Sequence, residues 1–281
     1  VIELAKKTGA DIVLGTDPDA DRLGIAIPTD PSKKDYLLLT GNQIATLFAD
    51  YLIQTSRELK RDGIPFIAKS LVTTDLVRKI AERHGGECKD VLTGFKYIAE
   101  EIERIESGNN PGRYFLFGCE ESYGFLTVTD VHDKDAVSSS VAAVEMMCYY
   151  ASIGKTLQQR LDEIYSEYGY STEVVFSNEY DGAEGKEKMK SIMAGLRKLG
   201  KGSEIAGRKI ASSEDLLGEN TGFPKSDVMI FRFESGEKLV VRPSGTEPKI
   251  KYYLFLTEGK DGRKALEESA GRIKEEFQKA L

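Results

Sequence analysis

The 281-residue chain holds only three cysteines, Cys88, Cys119 and Cys148, an odd number set far apart with no Cys-x-x-Cys. That argues against a disulfide framework or a structural zinc site, and reduced thiols of a cytoplasmic protein are the expectation. No run approaches the roughly 18 apolar residues of a membrane span. Nothing reads as a signal peptide, an internal repeat or a low-complexity tract. Positive charge is in deficit, with 39 Lys and Arg against 46 Asp and Glu, a net charge of −7. This disfavours nucleic acid as a partner but not a small anion, because local basic loops decide that. Apolar residues at 40% are enough for a globular core, and the length suits about two domains. The chain opens inside what reads as a helix, Ile2 to Lys7, whose strand partners would lie upstream; the expectation is a fragment of a longer protein.

The most informative text is Gly15-Thr16-Asp17-Pro18-Asp19-Ala20-Asp21-Arg22. Three carboxylates stand at i, i+2 and i+4 after the apolar run Asp11 to Leu14. In an extended segment that spacing points all three one way. Three hard anionic oxygens suit a hard divalent cation, Mg²⁺ when phosphate is a co-ligand. Arg22 adds a fixed positive charge suited to a phosphate oxygen. An EF-hand fails on position: Arg22 would stand where the loop needs Gly and Pro28 where it needs Glu.

The first half alternates strands and helices. Strands are expected at 23–27, 36–39, 64–68, 88–91 and 113–118, and helices from Thr40, over 74–84, 95–105, 136–153 and 157–168. The pattern predicts an α/β layer structure with a largely parallel sheet. Strand 113–118 reads as buried on both faces. From about residue 169 the order becomes strand 171–177, helix 185–199, strands near 208–211, 227–234, 238–241 and 249–256, and a terminal helix over 260–281. That is α+β with an antiparallel sheet, and Ser235-Gly236 marks a hairpin. The domain boundary is expected at 165–172.

Three further loops at strand ends carry chemistry. Thr93-Gly94-Phe95-Lys96 offers a glycine and free helix-start amides. Gly118-Cys119-Glu120-Glu121-Ser122-Tyr123-Gly124 has acids and a hydroxyl between glycines, suited to vicinal sugar hydroxyls. Downstream, Asp135 is placed to cap a helix. Val241-Arg242-Pro243-Ser244-Gly245-Thr246-Glu247-Pro248-Lys249 turns between two strands as a nest of backbone N–H groups, with Arg242, Ser244 and Thr246 adding donors. Everything there donates, so phosphate is the expected ligand. No P-loop text and no Gly-x-Ser-x-Gly elbow occurs. His84 is expected to end a helix, solvated, and His132 to be structural as readily as functional.

Together these loops resemble the α-D-phosphohexomutases, the phosphoglucomutases and phosphomannomutases. The aspartate stretch is similar to the family's metal loop, Asp-Gly-Asp-Gly-Asp-Arg. Glu120 and Ser122 match its Glu-x-Ser sugar pair, and Arg242 to Thr246 its phosphate loop. Thr93 to Lys96 matches a further loop of its third domain. The wording is nearest to the bacterial phosphoglucomutases that resemble mammalian phosphoglucomutase-2. Pro18 and Ala20 stand where the family has glycines, so the backbone there is expected to avoid positive φ.

The resemblance implies residues 1–39 as the end of domain 2, 40–168 as domain 3, and 169–281 as domain 4, an antiparallel α+β domain like the TATA-binding protein. It implies phosphoryl exchange between O1 and O6 of a hexose phosphate through a hexose 1,6-bisphosphate. Asp17, Asp19 and Asp21 would hold Mg²⁺, Arg22 and Lys96 would serve the chemistry, with Lys134 a possible helper, and Glu120, Ser122, Arg242, Ser244, Gly245 and Thr246 would bind substrate. The family's phosphoserine loop, Thr-Ala-Ser-His-Asn-Pro-like, does not occur in this text. The chain alone is therefore expected to need the missing N-terminal domains for turnover and to bind Mg²⁺ weakly. A phosphomannomutase or phosphopentomutase of the same family, a metal-dependent nucleotide-sugar glycosyltransferase and a noncatalytic phosphosugar-binding module stay open.

Overall fold

The computed structural model describes residues 1–30, 32–109, 111–180, 182–245, 247–257 and 262–281. In chain order the elements are α1 (Ile2–Thr8), β1 (Val13–Thr16), β2 (Leu23–Pro28), β3 (Tyr36–Leu38), α2 (Gly41–Glu58), β4 (Ile64–Ser70), α3 (Leu76–Arg83), β5 (Glu87–Val91), α4 (Lys96–Glu106), β6 (Arg113–Glu120), β7 (Gly124–Leu126), α5 (Ala136–Ser152) and α6 (Leu157–Tyr168). There follow β8 (Ser171–Glu179), α7 (Gly182–Leu196), β9 (Glu204–Ile205), β10 (Arg208–Asp215), β11 (Met229–Phe233), β12 (Lys238–Pro243), β13 (Lys249–Thr257) and α8 (Gly262–Ala280). Residues 260 and 261, where the last helix was expected to start, lie outside the described residues. The chain forms two compact units, Val1–Tyr168 and Gly169–Leu281.

In the first unit, β1, β2 and β3 form an antiparallel three-stranded sheet. The connections between them are too short for a parallel crossover. The second sheet runs β5-β4-β6-β7. Its first three strands are parallel, with α3 and α4 as crossovers, and β7 returns antiparallel to β6. Strand β6 is buried along almost its whole length, as a central strand covered on both faces must be. On one side Phe115 joins Phe66, Val91, Phe95, Ile98 and Ile102. On the other, the Phe117 and Phe125 rings meet Phe48 of α2 at 5.7 and 5.5 Å.

Helix α2 starts with a capping box: Thr40 Oγ1 accepts from Gln43 N, and Gln43 Oε1 accepts from Thr40 N. Its apolar positions Ile44, Leu47, Phe48 and Tyr51 are buried, while Leu52 is half-buried. The same helix buries Asp50 completely. Arg160 of α6 meets that carboxylate in a fork, Nε and Nη2 each at 2.8 Å, and the Tyr150 hydroxyl donates to it at 2.5 Å. The arginine thus pins α6 to α2.

The second unit is a six-stranded antiparallel sheet, β8-β13-β12-β11-β10-β9. The β11–β12 hairpin turns at Ser235-Gly236, with Gly236 at φ 100°. Helix α8 packs on β8 and β13, its Phe277 edge-on to Phe233. From α7, Met189, Met193 and Leu196 are buried.

Arg160→Met would leave the Asp50 carboxylate buried without a cation, and it should cost about 3–5 kcal/mol in urea denaturation of the chain. Asp50→Asn should cost less; equal or smaller losses for Arg160→Met would contradict the role given to the fork.

Candidate functional site

The aspartate stretch is the turn of the β1–β2 hairpin, with Thr16 opposite Leu23. Its side chains converge through a folded turn and not through the extended alternation expected from their spacing. Asp17, Asp19 and Asp21 each offer a carboxylate oxygen within 4.8 Å of the others. Asp17 Oδ1 closes the turn by accepting from the backbone N–H of Asp21 and of Arg22, both at 3.2 Å. Burial raises the Asp17 pKa, but the Arg22 and Asp21 hydrogen bonds outweigh it, and the carboxyl stays below its ordinary range. Ala20 has φ 54°, against the expectation that a residue with a Cβ would keep the backbone out of positive φ. The turn imposes it: Ala20 N donates to Asp17 O, and Ala20 O accepts from Ala136 N at 3.0 Å. Left-handed backbone at a non-glycine costs about 1–2 kcal/mol, so these bonds hold the loop against strain.

Two facts bear on whether this turn suits a metal. The donors are all hard oxygens, and Asp21 Oδ1 is buried without a hydrogen-bond partner. An orphaned buried carboxylate oxygen is costly unless a cation meets it. The turn therefore fits a hard divalent cation, with Asp17, Asp19 and Asp21 as its holders. Arg22 Nε lies 3.8 Å from Asp17 Oδ2 and 3.7 Å from Asp21 Oδ1, its side chain mostly exposed.

The glutamate loop is the β6–β7 turn, Glu120 opposite Gly124. It adjoins the aspartate turn through main-chain contacts: Leu23 N donates to Tyr123 O at 3.0 Å, and Arg22 bridges Gly124. Glu120 is buried, and its Oε1 accepts from Gly94 N at 2.7 Å. The Thr93–Lys96 loop thus contributes its Gly94 amide, with Gly94 at φ 116°, a conformation that favours glycine. Lys96 itself is exposed with its ammonium 4.7 Å over the Tyr97 ring. Ser122 is exposed at the turn. Helix α2 starts directly beneath: a Cβ on Gly41 would meet Glu121 O at 2.0 Å.

Ser70, Lys69, Asp75 and Asp90 were not singled out from the sequence. Glu121 Oε2 accepts from Ser70 Oγ at 3.0 Å, at the end of β4. Below it Lys69 is fully buried, 2.8 Å from Asp90 and 3.3 Å from Asp75, and donates to Thr73 O. Burial would lower the Lys69 pKa, but Asp90 and Asp75 drive it upward. A lysine at the end of an apolar strand was the available signal. Lys134 reaches the aspartate turn directly, Nζ 2.6 Å from Asp21 Oδ2. His84 caps α3 half-buried, with Nδ1 3.1 Å from Arg57 Nη1.

The Arg242–Lys249 loop, expected to receive phosphate, belongs to the second unit, between β12 and β13, with Arg242 opposite Lys251. It closes on itself: Ser244 N donates to Lys249 O, Glu247 N donates to Ser244 Oγ, and Lys249 N donates to Glu247 O. Several of its donors are therefore used internally, and it contains an acid, Glu247, paired with Lys249. A cavity of about 480 Å³ adjoins it, lined by Ser244 and Gly245 and, from α7, by Lys186, Met189 and Lys190. Thr246 lies outside the described residues.

Residues 40–168 match the family described as phosphoglucomutase/phosphomannomutase, alpha/beta/alpha domain III. The phosphoglucomutase of Staphylococcus aureus strain MSSA476 is 40% identical over 270 residues, covering 91% of this chain and 46% of that protein. That of strain MRSA252 is 39% identical over the same span. Among solved structures, the open form of the Paramecium phosphoglucomutase parafusin overlaps with TM-score 0.63 at 17% identity, over 95% of this chain and 44% of that one. A phosphoglucomutase/phosphomannomutase family protein from Burkholderia thailandensis gives 0.60 at 17%, over 100% and 48%. These two share the fold. The chain spans about half the length of the curated relatives it matches. Residues 40–168 are a phosphohexomutase domain III. Across 91% of its length the chain is similar to phosphoglucomutases.

Asp135 caps α5 beside the aspartate turn by accepting from Val137 N and Ser138 N at 2.9 and 3.0 Å. Burial raises its pKa, but the bonds from Ser138 and Val137 bring it below the ordinary carboxylate value. A lowered folded pKa stabilises above the unfolded value near 3.9 and ceases to as pH falls through the folded one. Asp135→Ala should lower unfolding free energy by about 1 kcal/mol at neutral pH, the gap to the parent closing below roughly pH 4 in thermal melts. A gap that stays constant to pH 2.5 would count against the cap.

Proposed function

We propose that the chain is the sugar- and phosphate-gripping part of a phosphohexomutase, a phosphoglucomutase in the first instance, interconverting hexose 1-phosphate and hexose 6-phosphate through a bisphosphorylated sugar. The observation that carries this reading is the main-chain junction of the aspartate and glutamate turns, which sets three clustered carboxylates beside a turn of chemistry suited to hydroxyls. We read residues 1–39 as the end of the preceding domain, 40–168 as domain 3 and 169–281 as domain 4, in a cytoplasmic enzyme.

Each residue's part follows from its chemistry. Asp17, Asp19 and Asp21 would hold Mg²⁺, which when bound withdraws charge from a phosphoryl group. Arg22, exposed just before β2, offers a guanidinium to phosphoryl oxygens. Glu120 is buried and oriented by the Gly94 amide, which leaves Oε2 for a sugar hydroxyl, with Ser122 beside it on the turn. In the second unit Arg242, Ser244, Gly245 and Thr246 would hold the phosphate that is not reacting. Binding energy gathered there positions the reacting end. Lys96, turned over Tyr97, would act through long-range charge.

Binding of glucose 1-phosphate to the chain should be measurable by calorimetry, with Kd on the order of 1 mM, and at least tenfold weaker in both Glu120→Gln and Arg242→Ala. No turnover to glucose 6-phosphate is expected with Mg²⁺ and glucose 1,6-bisphosphate, because the 281 residues hold no Thr-Ala-Ser-His-Asn-Pro-like text. Unchanged affinity in both variants, or tighter binding of a nucleotide sugar than of the hexose phosphate, would overturn the reading.

A further inference from the structure

Lys134 is unlike the other lysines around these turns. Its ammonium lies 2.6 Å from Asp21 Oδ2 and 3.3 Å from Asp133 Oδ1, with its side chain only 17% exposed. Its backbone is clamped on the C-terminal side. Asp135 N donates to Phe125 O at 2.9 Å, Ala136 N donates to Ala20 O at 3.0 Å, and Asp135 caps α5. The aliphatic stem crosses Gly124, where an added Cβ would stand 2.9 Å from Lys134 Cδ and 3.6 Å from Glu120 Oε2. A glycine therefore opens the slot through which the lysine runs from the glutamate turn to the aspartate turn. Arg22 also faces these acids, but at 3.7 Å or more and with its side chain mostly exposed. Lys134 is the short, sheltered contact.

On the reading of the aspartate turn as a cation site, we propose that Lys134 is its resident counterion, neutralising Asp21 until a divalent cation takes that carboxylate and displaces the ammonium. A divalent cation on Asp21 Oδ1 would stand about 4–5 Å from an ammonium held 2.6 Å from Oδ2 of the same carboxylate, and repulsion between the two cations drives the lysine off. Asp133, exposed and already 3.3 Å away, gives the displaced ammonium a partner, so release does not strand a charge. Lys134 then has two effects. It keeps three mutually repelling carboxylates in one turn when no metal is present, and it lowers their affinity for metal by competition. It also ties metal occupancy to the glutamate turn, because the moving stem lies across Gly124. Lys134 is a positioning residue in this scheme; it transfers no proton and forms no bond to substrate.

The test uses the full 281-residue chain and Mn²⁺ as probe, with free Mn²⁺ followed by electron paramagnetic resonance. Lys134→Met should bind Mn²⁺ roughly five- to tenfold more tightly than the parent. Gly124→Ala keeps the charge but crowds the stem, and it should shift affinity the same way by a smaller factor; it carries the test if thermal melts find Lys134→Met unfolded. A second readout separates displacement from general electrostatics. Acetic anhydride labelling of Lys134, quantified by peptide mass spectrometry, should speed up severalfold when saturating Mn²⁺ is added, while labelling of Lys33 stays constant. If the parent binds Mn²⁺ but neither variant binds it more tightly, or Lys134 labelling ignores the metal, the counterion role is overturned and the cation site stands. If neither parent nor variants bind Mn²⁺, the cation reading falls and this inference with it.

Discussion

The site in the first unit depends on a main-chain seam between two hairpins. Leu23 N to Tyr123 O, the Arg22–Gly124 bridge and Ala136 N to Ala20 O join the aspartate turn to the glutamate turn and to the start of α5. Because the seam is backbone, it does not draw on the side chains at the turns. It also tolerates local cost. Ala20 at φ 54° and Tyr123 at φ 68° are both left-handed with a Cβ, and strain of this kind persists only where surrounding contacts over-determine it. The fit is close enough that α2 must begin with glycine, since a Cβ on Gly41 would run into Glu121 O.

Charge is the second constraint. Two unit charges 4–5 Å apart at a protein surface repel by several kcal/mol at an effective dielectric constant near 20. Three aspartates in one turn are therefore unfavourable without cations nearby, and Arg22 and Lys134 supply them. The supporting charges are kept apart from this cluster. Lys69 with Asp90 and Asp75 stabilises the loop after β4, and Arg160 with Asp50 joins α6 to α2. Buried pairs of this kind contribute little net stability but are costly to break, so they fix geometry more than they add to the total.

Much of this was legible in the residues. Helical spacing gave α2 its buried Ile44, Leu47, Phe48 and Tyr51, and the apolar run of β6 announced a strand covered on both faces. The three chemical turns stood out because hairpin and strand-end loops carry text that a core does not need. Other features were hidden because they are tertiary. Period-2 reasoning assigned the aspartates to an extended segment, whereas Asp17 Oδ1 folds the turn by gathering two backbone amides. A glycine-for-alanine rule foresaw negative φ at Ala20, but the Ala136 hydrogen bond outweighs the intrinsic preference. Lys69 went unread because the expected strand stopped at residue 68 and its partners Asp75 and Asp90 come from other segments. Thr93 to Lys96 offered a glycine and free amides, and the Gly94 amide does make a contact, but to Glu120 of another loop, which spacing could not show.

The loop of the second unit follows a different logic. A turn built to receive an anion would be expected to exclude carboxylates, yet Glu247 sits within it. Its charge is offset locally: Lys249 pairs with it and holds its carboxyl below the ordinary range. Its backbone amide meanwhile reaches Ser244 Oγ and closes the turn. The acid thus shapes the loop, with its charge offset by Lys249. The adjoining cavity is lined by Ser244, Gly245 and the lysines of α7 together with Glu247 and Asp227, a rim of mixed charge over buried Met189 and Met193. Where the first unit orients polar groups through a rigid backbone seam, the second uses a self-closed turn. Such a turn is preorganised before any ligand arrives, and less ordering entropy is then lost on binding.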